Sequence, residues 1–292
     1  MGTFDAALHG KTDGCLMNAT TASHELRRIP TMHNALEYSV RFWFMAMVVG
    51  QVAFVYYIVA FYGGALAHGT PEVWNKVLPH GYVAGDVTGN LTLAAHLFVA
   101  AIVTLSGLPQ LVPKIRSAAP TFHRWNGRVY VSAAIIASLT GIFFGWARGT
   151  AGGTGQGVGI TINGLLILLC AVQAWRFARA REFAAHRRWA LRLFLVASGV
   201  WFFRVGLMMW LIVNHGQPVG FDAETFTGPA LIILGVADYL LPLALLEIYL
   251  RVKNGGSAWA RLGTASLLVS ATMLMCVGIF GAIMGLWLPR LA

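Results

Sequence analysis

The chain alternates between long apolar stretches and short polar connections. Seven stretches stand out, at roughly 42–63, 91–112, 128–147, 157–175, 190–213, 229–250 and 263–288. Each approaches the ~20 residues that a helix needs to cross a hydrocarbon layer of ~30 Å. Lipid offers backbone groups no partner, so only helices or closed barrels cross it. Barrel strands are shorter and alternate apolar with polar positions, and these runs do neither. The pattern predicts an all-α fold, a polytopic membrane bundle of seven transmembrane helices over 41–292, preceded by a polar tail over 1–40. Turn and cap residues from Asn18 to Ser23 punctuate the tail, and a short helix near 31–40 is expected to run into the first span.

Charge orients this bundle. All of the 21 Lys and Arg residues except Lys76, Arg148, Arg204 and Arg290 fall in the tail or in alternate connections, at 112–128, 176–192 and 251–262. Positive residues are retained on the cytoplasmic side. The N-terminus is therefore expected inside and the C-terminus outside, in a multi-pass protein of a bacterial cytoplasmic (inner) membrane. The net charge of +10 follows from this asymmetry, helped by attraction to anionic headgroups, and asks for no nucleic-acid partner. The first forty residues lack the layout of a signal peptide, so the first span is expected to act as an uncleaved insertion signal. Cys15, Cys170 and Cys276 are too scattered for a disulfide framework or a zinc site and read as free thiols. No internal repeat and no inverted pair of broken helices is visible, which argues against the usual secondary-transporter plan. The outer connection at 148–157 is glycine-rich turn material without phosphate-loop spacing, and Gly141 and Gly145 suggest a close helix-packing face.

Polar side chains inside the membrane cost several kcal/mol unless partnered or hydrated, so they mark candidate sites. His96, Asn163, Arg204 and Asp238 lie at overlapping depths in the outer half. Arg204 calls for a carboxylate, and Asp238 is the only acid deep in the bundle, so an Arg204–Asp238 ion pair is expected. The pair is either a structural tie between the fifth and sixth spans or part of a polar cavity open to the outside. In such a cavity His96 and Arg204 would face a quinone head, a haem propionate or an anion. Glu247, near the inner end of the sixth span, is expected to pair with a cytoplasmic arginine.

A second signal lies at the inner surface. His123-Arg124-Trp125 precedes the third span and His186-Arg187-Arg188-Trp189 the fifth, each followed by a further arginine. Trp, Arg and His at an interface can be ordinary anchors. They can also be a site: both spans run inside to outside, which puts their first turns on one plane and lets the imidazoles face each other. Two neutral imidazoles suit haem iron, and arginines such as Arg124 and Arg188 suit propionates. His96 belongs to the other leaflet and is not expected to join them.

The stretch from His96 through LSGLPQLVPKIRSAAPTFHRWNGRVYVSAA to HRRWALRLFLVASGVWFFRV resembles the bacterial membrane family called domain of unknown function 2306. The resemblance covers roughly residues 40–250 and implies the helical membrane fold without an activity. The chain also resembles, more weakly, the two-haem b-type transmembrane cytochromes, which carry four histidines on four consecutive helices. By that likeness His96, His123 and His186 match the first, second and fourth histidines. The third is absent, Asn163 being the nearest polar residue, so only the inner pair, His123 and His186, remains for a haem.

Three functions stay open. One is a redox or electron-transfer component binding a b-type haem or a quinone. Another is a cofactor-free transport or proton pathway through His96, Arg204 and Asp238. The last is an accessory or assembly subunit whose partners, besides the bilayer, are other membrane-protein subunits. Catalytic residues and a bare metal site are not indicated.

Overall fold

The computed structural model describes residues 12–78, 80–150 and 152–291, with side chains from Asn34 onward. Among them every extended element is helical. Helix α1 (Thr12–Tyr57) continues through a π-helical turn at Ile58–Gly63 into α2 (Gly64–Ala67). It thus runs unbroken past Asn18–Ser23, and its membrane-length portion is Asn34–Ala67. There follow α3 (Val87–Gln110), the short α4 (Pro113–Ala118), α5 (Pro120–Ala147), α6 (Gly153–Arg179), α7 (Phe183–Ala197), α8 (Gly199–Val213), α9 (Pro229–Gly255) and α10 (Ala258–Gly281). A second π turn, Ala282–Trp287, extends α10.

Among the described residues six helices are long and apolar enough to cross a membrane, and α7 with α8, bent by 52°, passes the same test when taken together as one broken span. The bend falls on Ser198 and has a local cause. The Ser198 hydroxyl donates to the Phe194 carbonyl at 2.8 Å, a back-bond that competes with the helix ladder and bends it. Gly199 follows, and Gly/Ser pairs are common kink sites. The boundaries elsewhere follow ordinary capping chemistry. Asp86 accepts from the Gly89 N–H at 2.9 Å to start α3, and Ser257 accepts from Ala260 at 3.2 Å to start α10, each satisfying an orphan donor of the first turn. Pro113, Pro120 and Pro229 open α4, α5 and α9, where the missing N–H costs nothing.

The helices pack as α3 on α5, α5 on α6, α6 on α7, and α1 and α8 on α10. Large apolar side chains such as Phe98, Phe143, Ile233 and Phe280 face outward, as expected where lipid replaces water. The closest helix approaches do not fall on Gly141 and Gly145. A Cβ at either would make only ordinary contact, 3.5 Å from His96 and 3.4 Å from Thr150. They fall on Gly50, where a Cβ would stand 2.5 Å from Trp201, and on Gly278, where it would collide with the Val205 carbonyl.

One end of the bundle gathers the arginine-rich connections, since Arg116, Arg124, Arg179 and Arg187 border a single cavity. The opposite end is closed by a polar clasp. Arg148, just past α5, donates to the carbonyls of His80 and Gly81 at 3.3 and 3.1 Å, to Asn90 at 3.3 Å and to the Asp86 carboxylate. Beneath this end the buried Trp74 folds back and donates to the Tyr62 carbonyl at 3.3 Å.

Candidate functional site

A cavity of about 1090 Å³ opens at the arginine-rich end and reaches into the middle of the bundle. Its mouth carries His123 and His186 with Arg116, Arg124, Arg128, Arg179 and Arg187. Deeper, the walls are apolar, with Phe194, Phe202, Leu246 and Met275 among them, and Asp238 is the acid in the lining. The shape is amphipathic: a cationic, imidazole-bearing rim over a greasy shaft.

Both histidine motifs fold alike. Each forms the first turns of a helix, and each turns its tryptophan under the arginine three residues on. Arg128 stacks over Trp125 and Arg192 over Trp189, both at 4.7 Å, within the range of a cation–π contact. The start of α5 is pinned to the end of α3. Gln110 donates to the His123 carbonyl at 3.3 Å and Asn126 to the Ser106 carbonyl at 2.7 Å. On the other side, the His186 Nδ1–H donates to the Ala174 carbonyl at 2.9 Å. That bond fixes the ring and its tautomer and leaves Nε2 free. His123 Nδ1 and the hydroxyl of Tyr130, which also lines the cavity, are buried without a hydrogen-bond partner among the described residues. Buried polar atoms are rarely left so.

The residues present fit a b-type haem in kind. Two imidazoles come from different helices. One has its second nitrogen tied to a carbonyl, the usual support of a ligating histidine. Cationic side chains line the same cavity and would suit carboxylates such as propionates. Among the described residues no cluster of three or more His, Cys, Asp or Glu would hold a bare ion. Arg188 does not belong to this rim. The cavity arginine on that turn is Arg187, because α7 rotates successive side chains by about 100°.

The four outer polar residues do not form one cavity. His96 packs on α5, with Nδ1 2.7 Å from the Thr140 hydroxyl and its ring against Phe144. Arg204 turns away from Asp238. Its guanidinium donates to the Val200 carbonyl of its own helix at 3.2 Å and lies 5.3 Å over the Phe54 ring of α1. The expected Arg204–Asp238 ion pair is thus corrected: carbonyl and aromatic contacts take the cation instead, and Asp238 has no salt bridge among the described residues. Glu247 does pair with an arginine of the basic end, Arg192, at 2.7 Å.

Asn163 and Asp238 are brought together by the bend. A Cβ at Gly199 would lie 2.6 Å from Asn163 Nδ2 and 3.2 Å from Asp238 Oδ1. Gln51 of α1 reaches the same joint and donates to the Ser198 hydroxyl at 2.9 Å. One carboxylate oxygen of Asp238 and the amide oxygens of Asn163 and Gln51 are buried without a partner among the described residues. Gln51 and Ser198 are functional candidates missed in the sequence, although an amide in the first apolar stretch and a Ser-Gly pair in the fifth are both legible there.

A bundle of membrane-length helices around an amphipathic cavity defines an integral membrane protein with a built internal site. The family model described as predicted membrane protein (domain of unknown function 2306) matches residues 93–241. The match covers just over half of the chain, from α3 into α9, and the chain belongs to that family. Neither curated proteins nor solved structures provide a match.

Proposed function

We propose that this protein holds one amphipathic ligand with an anionic head in the large cavity, and that the ligand is a b-type haem carried between His123 and His186. The observation that carries this reading is the shared cavity. Two histidines from separate, similarly built motifs border it, with five arginines around them and an unpartnered imidazole nitrogen and phenol inside. His123 and His186 would hold the haem iron, and Arg116, Arg124, Arg179 and Arg187 its propionates. A haem with two imidazole ligands supplies one-electron transfer. The chain's part is to fix both rings, exclude water with its apolar walls and neutralise the acidic edge. In this reading the arginine-rich end faces the cytoplasm of a bacterium, and the protein serves as a redox component of the inner membrane, alone or beside other subunits.

The visible spectrum of the detergent-purified chain, produced with haem supplied, tests this directly. Paired sharp bands on reduction are expected, lost in His123→Ala and His186→Ala and kept in His96→Ala. A colourless protein from haem-replete cells overturns it. A second reading is favoured by the depth of the cavity, which continues to Asp238: a lipid-soluble molecule with a long tail, such as a quinone. Mass spectrometry of the extracted lipid would then find that molecule enriched in the wild type and depleted when the rim arginines are replaced.

A further inference from the structure

The joint between α7 and α8 gathers groups that the ligand reading does not use. Asp238 on α9, Asn163 on α6 and Gln51 on α1 converge on Ser198–Gly199, and each keeps a buried oxygen without a donor. A lone carboxylate at this depth is costly as an anion unless it is protonated or solvated. The Asn163 amide at the same point can donate through Nδ2 or accept through Oδ1, which suits either charge state of the carboxyl. Glycine at 199 permits the arrangement, because any larger residue would occupy the point that Asn163 and Asp238 share.

The polar atoms continue to both surfaces. Toward the arginine-rich end, Asp238 borders the cavity whose mouth holds His123 and His186. Toward the opposite end stands Gln156, buried, with its amide oxygen also unpartnered. It lies flat against Gly235, where a Cβ would be 2.6 Å from that oxygen. Gly235 is one helical turn before Asp238 on α9, and Gln156 is two turns before Asn163 on α6, so the amide lies on the same α6–α9 seam. Gln156 also packs directly beneath the turn that opens α6, with a Cβ at Gly152 2.8 Å from its own. About one helical turn of α9 separates the Gln156 contact at Gly235 from Asp238, a distance that internal water could bridge.

Of the ionisable groups on the elements packed against α9, His186, Arg187 and Arg188 of α7, Arg176 and Arg179 of α6 and Arg261 of α10 lie near the basic end of their helices. Arg192 of α7 is held by Glu247. Arg204 of α8 is turned onto Phe54. Facing α9, α6 contributes Cys170, Asn163 and Gln156 but no charge before Arg176, and α10 has Cys276 and no charged residue beyond Arg261. Tyr239 is the immediate neighbour on α9 itself.

We infer that Asp238 is the proton-exchanging carboxyl of a path across the bundle, entered through the basic cavity on one side and through Gln156 on the other, with Asn163 as its hydrogen-bonding partner at the helix joint. The step balances: a hydronium in cavity water gives its proton to the carboxylate and becomes water, and the carboxylic acid then gives a proton to water on the Gln156 side, restoring the carboxylate, with the Asn163 and Gln156 amides orienting that water.

Two measurements on the full chain test it. In vesicles carrying an internal pH dye, an imposed potassium diffusion potential should drive proton uptake. Asp238→Asn should cut that flux roughly tenfold or more, as loss of a relay group does. Asn163→Leu and Gln156→Leu should lower it, and Asp238→Glu should retain part of it. Independently of any variant's folding, an apolar carbodiimide should modify Asp238 of the wild type, detected by peptide mass, faster at acid than at alkaline pH, and should block the flux. Flux no greater than in protein-free vesicles overturns the proposal. So does an Asp238→Asn protein that conducts like the wild type, labelling that is indifferent to pH, or a current carried by sodium with no proton movement.

Discussion

Asp86 and Asp238 are the same side chain in two opposite situations. Asp86 sits at the rim of the bundle, 44% exposed, and is fully served. It accepts the Gly89 N–H, capping α3, and it receives the guanidinium of Arg148. The Gly89 N–H and then Arg148 hold its carboxyl below the usual carboxylate range. Asp238 lies inside the apolar shell, beside a bent helix, with one oxygen buried and bare. The first carboxylate is spent on architecture. The second stands without a salt bridge among the described residues at a depth where that is costly, and that contrast is what singles it out for the proposal.

The contrast can be broken at the glycine that separates Asn163 and Asp238 from α8. Gly199→Val should cost about 1–3 kcal/mol by overpacking, read as a lower melting temperature in detergent, and should displace the two polar groups. A neutral result would mean that the joint is loose and that the proximity has no consequence. The Arg192–Glu247 bridge offers the intermediate case. Its members are 23% and 37% exposed, so Arg192→Ala should cost about 1 kcal/mol, between a screened surface pair and a buried one. Equal stability of Arg192→Ala and wild type would place this pair with the surface bridges.

A smaller effect is expected between Arg204 and Asp238. Because the two do not touch, the losses in Arg204→Ala and Asp238→Asn should add to within about 0.5 kcal/mol. A larger coupling in the double-mutant cycle would restore the ion pair that the sequence suggests. The smallest effect concerns Asp86. Its folded-state pKa is depressed, so its contribution is present above the ordinary carboxylate range and is lost as pH falls through the lowered value. Protection of the amides around residues 80–90, measured against their intrinsic exchange rates, should therefore fall in acid, and Asp86→Asn should remove that acid dependence.

The spans were almost fully legible in the sequence, because hydrocarbon thickness dictates their length and leaves no ambiguity of period. The break in the fifth was not, since hydropathy runs smoothly through Ser198–Gly199 and the bend depends on a side-chain bond back to Phe194. The site was legible in part. His123 and His186 share the cavity that their matched contexts suggest, because both contexts occupy a helix start at one surface. Arg187, not Arg188, borders the cavity, because which of two adjacent arginines faces inward depends on the rotation of α7 about its axis. The Arg204–Asp238 pairing fails for a plainer reason. Depth and opposite charge suggest it, and neither says anything about azimuth around the bundle. Arg204 points at α1 while Asp238 points at the joint.

The one-residue interruption at Ser198 also divides the molecule's allegiances. On one side of it α7 is packed against α6, and on the other α8 is packed against α10, where Gly278 brings backbone onto backbone. The two halves of the bent pair thus lean on different neighbours, while α9 packs against both. Asp238 stands on the one helix that the two halves share, beside the joint where they meet.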